Sequence, residues 1–469
     1  MTPVSRRRFL SLSLGAAAAS IAANNLVKLA YAAGSVPTPE SLNADVYKRA
    51  IRSAIQFQNE MMDAYASGNT VRLIQSYADQ SGLESTAFTY DNAVSIHAYL
   101  LEGSADSLAR AATLGEALVY AQANNFPFND GRFAQAYFVN APSSDGVYVT
   151  PAAFPFYFYT SSVGDQAWAG MALAQLYKRT GNADFLTAAL NVGNWIVDNT
   201  YSTLTPGGYL FGTNINQYNQ SVPSGNGKST EHNIDTYAFF MMLDALTNHG
   251  SAANSMTWAA LAAHAWGFVI AMYNAAGPFF WTGTAGAQSS SINYWPIPED
   301  CQTWSYLASL DTKYAGSIDW ARQNLQTTDT ASSPHSSLSG SESFTGITFD
   351  TASLYTAFAD PNAVWLEGTA HTIAALIARA GAENGNLRAA DWQAALRYVG
   401  TCDSAQEQLG DGQSVNGIPI PLGSGLVAAT SVLDTGFGYT YGPTKHIGAT
   451  GWYLIAMQGG NPFQLGYPS

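Results

Sequence analysis

The sequence is short of charge. Only 11% of its 469 residues are Asp, Glu, Lys or Arg, and 19 Lys and Arg stand against 33 acids. A formal net charge of −14 argues against nucleic acid and anionic lipid as partners, since both are bound by clustered cations. Cysteine is scarcer still: Cys301 and Cys402 are the only two, able to pair outside the cytoplasm but no disulfide framework. The chain has no His-Glu-x-x-His, no cysteine pair at metal spacing, no P-loop and no dinucleotide-binding glycine motif. A nucleophile elbow is missing too; the nearest stretch, Pro421-Leu422-Gly423-Ser424-Gly425, is a glycine turn without a strand before it or a helix after it. No metal and no cofactor is implied.

The N-terminus reads as a targeting segment. Ser5-Arg6-Arg7-Arg8-Phe9-Leu10 precedes an Ala-rich apolar run, and Ala30-Tyr31-Ala32 forms an A-x-A cleavage site. That run is too short and too rich in Ala for a stable membrane span. Paired arginines followed by Phe-Leu resemble a twin-arginine signal, which would make the export machinery a partner and the mature protein periplasmic or secreted. The expected organisation is a signal over 1–32, a linker over 33–43 and one domain over 44–469. Losing the signal removes Arg6, Arg7, Arg8 and Lys28 but no acid, taking the formal charge from −14 to −18. A neutral glycan remains a natural partner.

What the chain has in quantity is apolar and aromatic surface. Hydrophobic residues make up 47%, and Trp, Tyr and Phe number 11, 26 and 22. Aromatics in such numbers suit grooves that stack on ring-shaped ligands, although large cores use them as well. Amphipathic segments alternate with segments apolar on every side. Ala44 to Ala66, Ser107 to Asn124, Asp184 to Asp198, Ser255 to Asn274, Gly316 to Leu325 and Asn386 to Val399 read as outer, half-exposed helices. Tyr90 to Leu101, Gly164 to Leu173, Glu231 to Leu246, Glu299 to Leu310, Val364 to Arg379 and the segment from Lys445 read as inner helices, apolar on nearly every side. Helices apolar all round belong inside a second ring of helices. The fold expected is all-α: an (α/α)6 double-ring toroid of about twelve helices, with short β-hairpins and loops such as Phe126 to Tyr159 and Leu204 to Lys228 at the cavity rim. No tight repeat supports a solenoid. Gln326 to Ser343, rich in Ser, reads as a long surface loop, either a lid or mobile.

The inner helices open with Tyr90-Asp91-Asn92, Gly164-Asp165-Gln166, Thr230-Glu231-His232, Pro298-Glu299-Asp300, Leu366-Glu367-Gly368 and Thr444-Lys445-His446. Helix capping explains any one of these acids. Six on one rim, beside Tyr90, Trp168, Tyr237, Trp304, Trp365 and Trp452, point to a site. Together with Thr-Glu-His-Asn-Ile-Asp, Glu-Asp-Cys-Gln-Thr-Trp, Trp-Leu-Glu-Gly-Thr-Ala and the closing Ala-Thr-Gly-Trp-Tyr, this pattern resembles the six-hairpin glycosidase superfamily over residues 44–460. No complete catalytic signature of one family is matched.

The resemblance implies a glycoside hydrolase acting on a neutral, glucan-type polysaccharide or oligosaccharide, mostly by inversion, with two carboxyls about 6.5–9.5 Å apart. Position makes Glu231 the general acid, since an apolar helix beside it raises a carboxyl pKa. Asp91 is the first choice of base and Glu367 the second. Asp235, one turn after Glu231, His232, His371 (one turn after Glu367) and His446 are expected to touch sugar, with Tyr90, Asp165, Trp168, Tyr237, Asp300, Trp304 and Trp365. The alternative is a non-catalytic glycan-binding or exopolysaccharide-assembly protein. A polysaccharide lyase would need cations for a uronate carboxylate, which this chain lacks. A sugar epimerase would suit inner histidines but not export.

Overall fold

The computed structural model describes residues 44–66, 71–125, 128–139, 148–149, 160–216, 220–382 and 385–467. The expected signal and linker, and most of Phe126 to Tyr159, lie outside the described residues. Twelve α-helices are described: α1 (Ala44–Asp63), α2 (Thr89–Glu102), α3 (Ala105–Ala123), α4 (Val163–Thr180), α5 (Ala183–Thr200), α6 (Thr230–Leu246), α7 (Trp258–Ala271), α8 (Asp300–Ser309), α9 (Gly316–Asn324), α10 (Leu366–Ala382), α11 (Gly385–Gln408) and α12 (Ile447–Met457). The even-numbered helices pack in the cyclic order α2, α4, α6, α8, α10, α12 and back to α2, which closes an inner ring. Each odd-numbered helix packs outside an inner neighbour, as α5 does on α4 and α11 on α10. This is the (α/α)6 toroid.

Sequence patterning explains the ring. α12 is buried at every residue and α4 from Val163 to Leu176, as helices enclosed on all sides must be. Close approach of inner neighbours uses glycine: a Cβ on Gly170 of α4 would lie 2.2 Å from the Phe239 ring of α6. Gly170→Ala should therefore lower the melting temperature through overpacking of about 1–3 kcal/mol; an unchanged melting curve would show the two helices free to part. Helix ends follow local chemistry. Gly103 takes φ 71 after α2 and bonds back to Tyr99. Ser162 and Ser229 cap α4 and α6 by accepting from Asp165 and His232 backbone N–H groups.

Three expectations need correction. Gln326 to Ser343 is not a structureless loop. Gln326–Thr330 pairs antiparallel with Ser343–Ile347, and Thr327 and Asp329 alternate inward. The strand escapes a hydrophobic reading because its buried positions are polar: Asp329 accepts from Ser336, Thr430 and Ser431 hydroxyls. Lys445–His446 is strand paired with Leu426–Val427, and α12 starts only at Ile447. α11 runs past Gly400 to Gln408 because Cys402, Ala405 and Gln406 pack inward, Gln406 donating to the Ala50 carbonyl. Cys301 and Cys402 are both buried and free.

The far end of the ring is shut. Trp168, Trp304, Trp452 and Phe463 pack ring against ring, with the indole centroids 5.3–5.8 Å apart. Beneath them the C-terminal segment is tied to the bases of three inner helices: Tyr467 to His97, Gln464 to Gln175 and Leu307. No described helix is long and apolar enough to cross a membrane.

Candidate active site

Above the tryptophan floor, the N-termini of the inner helices bring together side chains remote in sequence. Glu367 lies at the centre of a hydrogen-bonded group. Its Oε1 accepts from the Tyr90 hydroxyl at 2.5 Å, and that hydroxyl accepts from the Trp452 indole at 2.8 Å. His371, one turn along α10, stands 3.8 Å from Oε1, and His446 stands 3.6 Å from Oε2. The other His371 nitrogen meets Glu299 at 2.9 Å, and Thr372 donates to the same carboxylate. His446 Nδ1 lies 3.3 Å from the Ala449 backbone nitrogen at the start of α12, and Nε2 faces Asp91 at 3.1 Å. Tyr77 stacks on the His446 ring at 4.3 Å.

Glu231 sits differently. It is half-buried, and the charges that act on it are the carboxylates of Asp300, Asp235, Asp165 and Glu367. Burial first, and then these neighbours, hold its carboxyl well above the usual carboxylate range. Asp235 is raised well above its ordinary value by burial and Asp300, with the Trp168 indole acting the other way. Asp165 is pushed up to about 7 by burial despite accepting from Ser162. Asp300 is pushed up to about 6 by burial and Glu299. Glu367 moves the opposite way. Burial opposes its charge, yet the hydrogen bonds and charges of His371, His446 and Tyr90 hold it below its ordinary value. For His371 burial works against the cation, but Glu299 and Glu367 raise it to about 9.

These shifts set the pH response of the fold. A raised His371 contributes stability that is complete below about 6.5 and lost as pH rises through about 9. Asp165, raised to about 7, keeps a proton that the unfolded chain releases near 4, so it too favours the fold less as pH rises. His97 and His232, lowered by burial to about 3 and 4, favour the fold less as pH falls below 6.5. Lys445, lowered by burial to about 8, acts against the decline only above that pH. The melting temperature should fall as pH rises from 6 to 8, with a loss on the order of a few kcal/mol. A melting temperature that is flat or rising over that interval would contradict the protonation states above.

Of the residues singled out in sequence, Glu231, Asp91, Glu367, Asp235, Tyr90, Asp165, Asp300, His371 and His446 converge. Trp168 and Trp304 are buried in the floor. Trp365 forms wall, stacked on Tyr441 at 6.1 Å and edge-on to His371. Two sit elsewhere. Tyr237 packs on Trp266 of the outer helix α7. His232 is wedged between Phe211 and Gly164, a buried neutral imidazole. Sequence reasoning missed Glu299, Tyr77, Tyr439 and Tyr441. Glu299 precedes Asp300 in a tandem acid pair, and Tyr439-Thr440-Tyr441 places two aromatics on one face of an extended segment; both were readable signals.

No protein-family model matches the chain, and no curated protein matches it. Solved structures do. A D-mannose isomerase superposes with TM-score 0.58 at 11% identity, over 90% of this chain and 98% of that one. An α-mannanase of glycoside hydrolase family 76 from Bacteroides thetaiotaomicron gives TM-score 0.52 at 13% identity, over 88% and 95%. A glycosidase in complex with glucose gives TM-score 0.52 at 12% identity, over 89% and 98%. The likeness is one of fold. It places this chain among (α/α)6 structures that include glycosidases, and it carries no residue role across.

Proposed function

We propose that this chain is a glycoside hydrolase acting on a neutral glycan, with Glu231 as general acid and Glu367 as general base. The observation that supports it most is the contrast between these two carboxyls in one cavity. Glu231 has carboxylates for neighbours and keeps its proton; Glu367 has two imidazoles and a phenol and stays ionised. Environments that drive two acids apart in this way suit an acid/base pair. In the reaction Glu231 gives its proton to the leaving glycosidic oxygen as the bond to the anomeric carbon breaks. Glu367 takes a proton from water as the new carbon–oxygen bond forms. Tyr90 and the two histidines hold Glu367 in place and keep it charged. Asp91, bound to His446, is the other candidate base. Residues 1–32 export the folded chain, so the protein recovered outside the cytoplasm should begin at Ala33.

A reducing-end assay on a panel of neutral and acidic glycans, with ultraviolet absorbance followed in parallel, tests the reading. New reducing ends without absorbance on a neutral glycan are expected. Absorbance from a new double bond would mean a lyase, and binding without turnover would mean an assembly or binding protein. A second reading has one observation in its favour: His371 and His446 flank a single carboxylate, an arrangement able to shuttle protons on a free sugar, and one fold neighbour is a D-mannose isomerase. Exchange of the sugar C2 proton in heavy water, without glycan cleavage, would favour it.

A further inference from the structure

Three loops meet at the mouth of the cavity: 292–298, 351–358 and 435–441. None contains Asp, Glu, Lys or Arg. They carry large aromatic side chains turned outward, with Trp295 51% exposed, Tyr355 76% and Phe437 47%. Solvent-exposed aromatics of this size, clustered, mark a surface that meets something. The loops are fastened together. Ser353 donates to the Asp434 carbonyl, Ile297 N–H donates to the Thr351 hydroxyl, and Gly436 packs on Ala352 and Pro296. The rings are therefore held in place before anything binds.

They are also continuous with the site. Tyr439 feels the charges of Glu231 and Asp300. From it the aromatic contacts run through Phe349 at 6.5 Å to Phe437 at 6.2 Å, while Trp295 and Tyr355 face one another at 5.9 Å on the adjoining loops. The opposite end of the ring is shut by the tryptophan floor and the C-terminal segment. A chain reaching the acids extends back through the mouth, where these loops lie.

We infer that this aromatic strip binds the outlying sugar residues of a neutral glycan chain, so that the substrate is an oligosaccharide or polysaccharide rather than a single sugar. The carbon–hydrogen faces of sugar rings are apolar while their edges are hydroxylated, and Trp and Tyr offer a matching apolar face with a polar tip. Absence of charge in all three loops fits an uncharged polymer and not an anionic one. Loops already fastened lower the ordering cost of binding. The inference rests on the hydrolase reading of the cavity, but binding alone reads it out.

The test uses the mature full-length chain carrying Glu231→Gln, so that polymer survives during measurement. Retardation in gels containing α-mannan, amylose, a soluble β-glucan or xylan gives affinity. Trp295→Ala and Tyr355→Ala remove exposed rings, and unchanged melting curves confirm the fold. Each variant is expected to weaken binding of the preferred polymer at least five-fold and the pair at least twenty-fold, with binding of the monosaccharide unchanged. Wild-type affinity in the double variant, or no retardation by any of the four polymers, would overturn the inference. So would a strip that instead drives concentration-dependent dimerisation, or binding to neutral phosphatidylcholine vesicles, abolished by Trp295→Ala. Polymer binding lost in the variants with no turnover by the wild-type chain would leave the strip and remove the hydrolase. Turnover of polymer with unaltered kinetics in the double variant would do the reverse.

Discussion

Glu231→Gln is expected to lower kcat on the preferred glycan by about 10³-fold, the range for loss of a general acid. The amide has the shape of the protonated acid but no proton to give. Because Glu231 is surrounded by Asp300, Asp235 and Asp165, removing its ionisable proton also removes a source of repulsion. The variant should therefore fold with no loss of melting temperature at pH 8, where a destabilised core mutant would melt early. Substrates with an activated leaving group, which need little protonation, should be cleaved by the variant with a much smaller deficit. That pairing of leaving-group dependence with an intact fold separates a missing acid from a damaged site. Near-normal turnover of the ordinary glycan would remove Glu231 from the role.

Glu367→Gln is the second large effect, again about 10³-fold in kcat, but with a different signature. Here the side chain accepts from Tyr90 and faces two imidazoles, so the neutral amide strips His371 and His446 of a shared counter-charge. His371 keeps Glu299, yet its raised pKa should fall, and the decline in stability above pH 6 should become shallower than in the parent chain. No leaving group should rescue this variant, whereas a small anionic nucleophile such as azide should, by attacking without a base. Asp91→Asn decides between the two candidate bases. With the base at Glu367 its deficit is the smaller of the two, since it loses the partner of His446 and not the proton acceptor. The opposite order would move the base to Asp91.

The architecture was legible because burial leaves a plain mark on helices. Gly164 to Leu173 has no polar face and can only be inner; Asp184 to Asp198 has one and can only be outer. Punctuation misled where one residue served two readings, as with Gly400 inside α11. Polar strands such as Gln326–Thr330 were invisible because the core they enter is made of hydroxyls and one carboxylate. At the site, helix geometry told more than was taken from it. Residues 231 and 235 lie about 40° apart around a helix axis, whereas 235 and 237 lie about 200° apart. If Asp235 faces the cavity, Tyr237 must face outward, where it meets Trp266. Glu299 and Tyr441 left local signals, a tandem acid pair and a Tyr-Thr-Tyr alternation, but which groups they meet depends on the loops that the ring brings together.

The closed inner ring also has an order of manufacture. Tyr90 and Trp452, joined by a hydrogen bond, are 362 residues apart in the chain. Asp91 and Glu367 are both synthesised before His446, and the floor is missing until Trp452 and Phe463 follow. Five inner helices must therefore wait, with one seam open and Asp91 and Glu367 without His446, until α12 leaves the ribosome. Contacts this distant in sequence make for slow folding. A nascent chain that engaged a threading translocon early would be carried across the membrane in that open form. Were residues 1–32 an export signal, a route that accepts only finished proteins would suit a ring closed by α12.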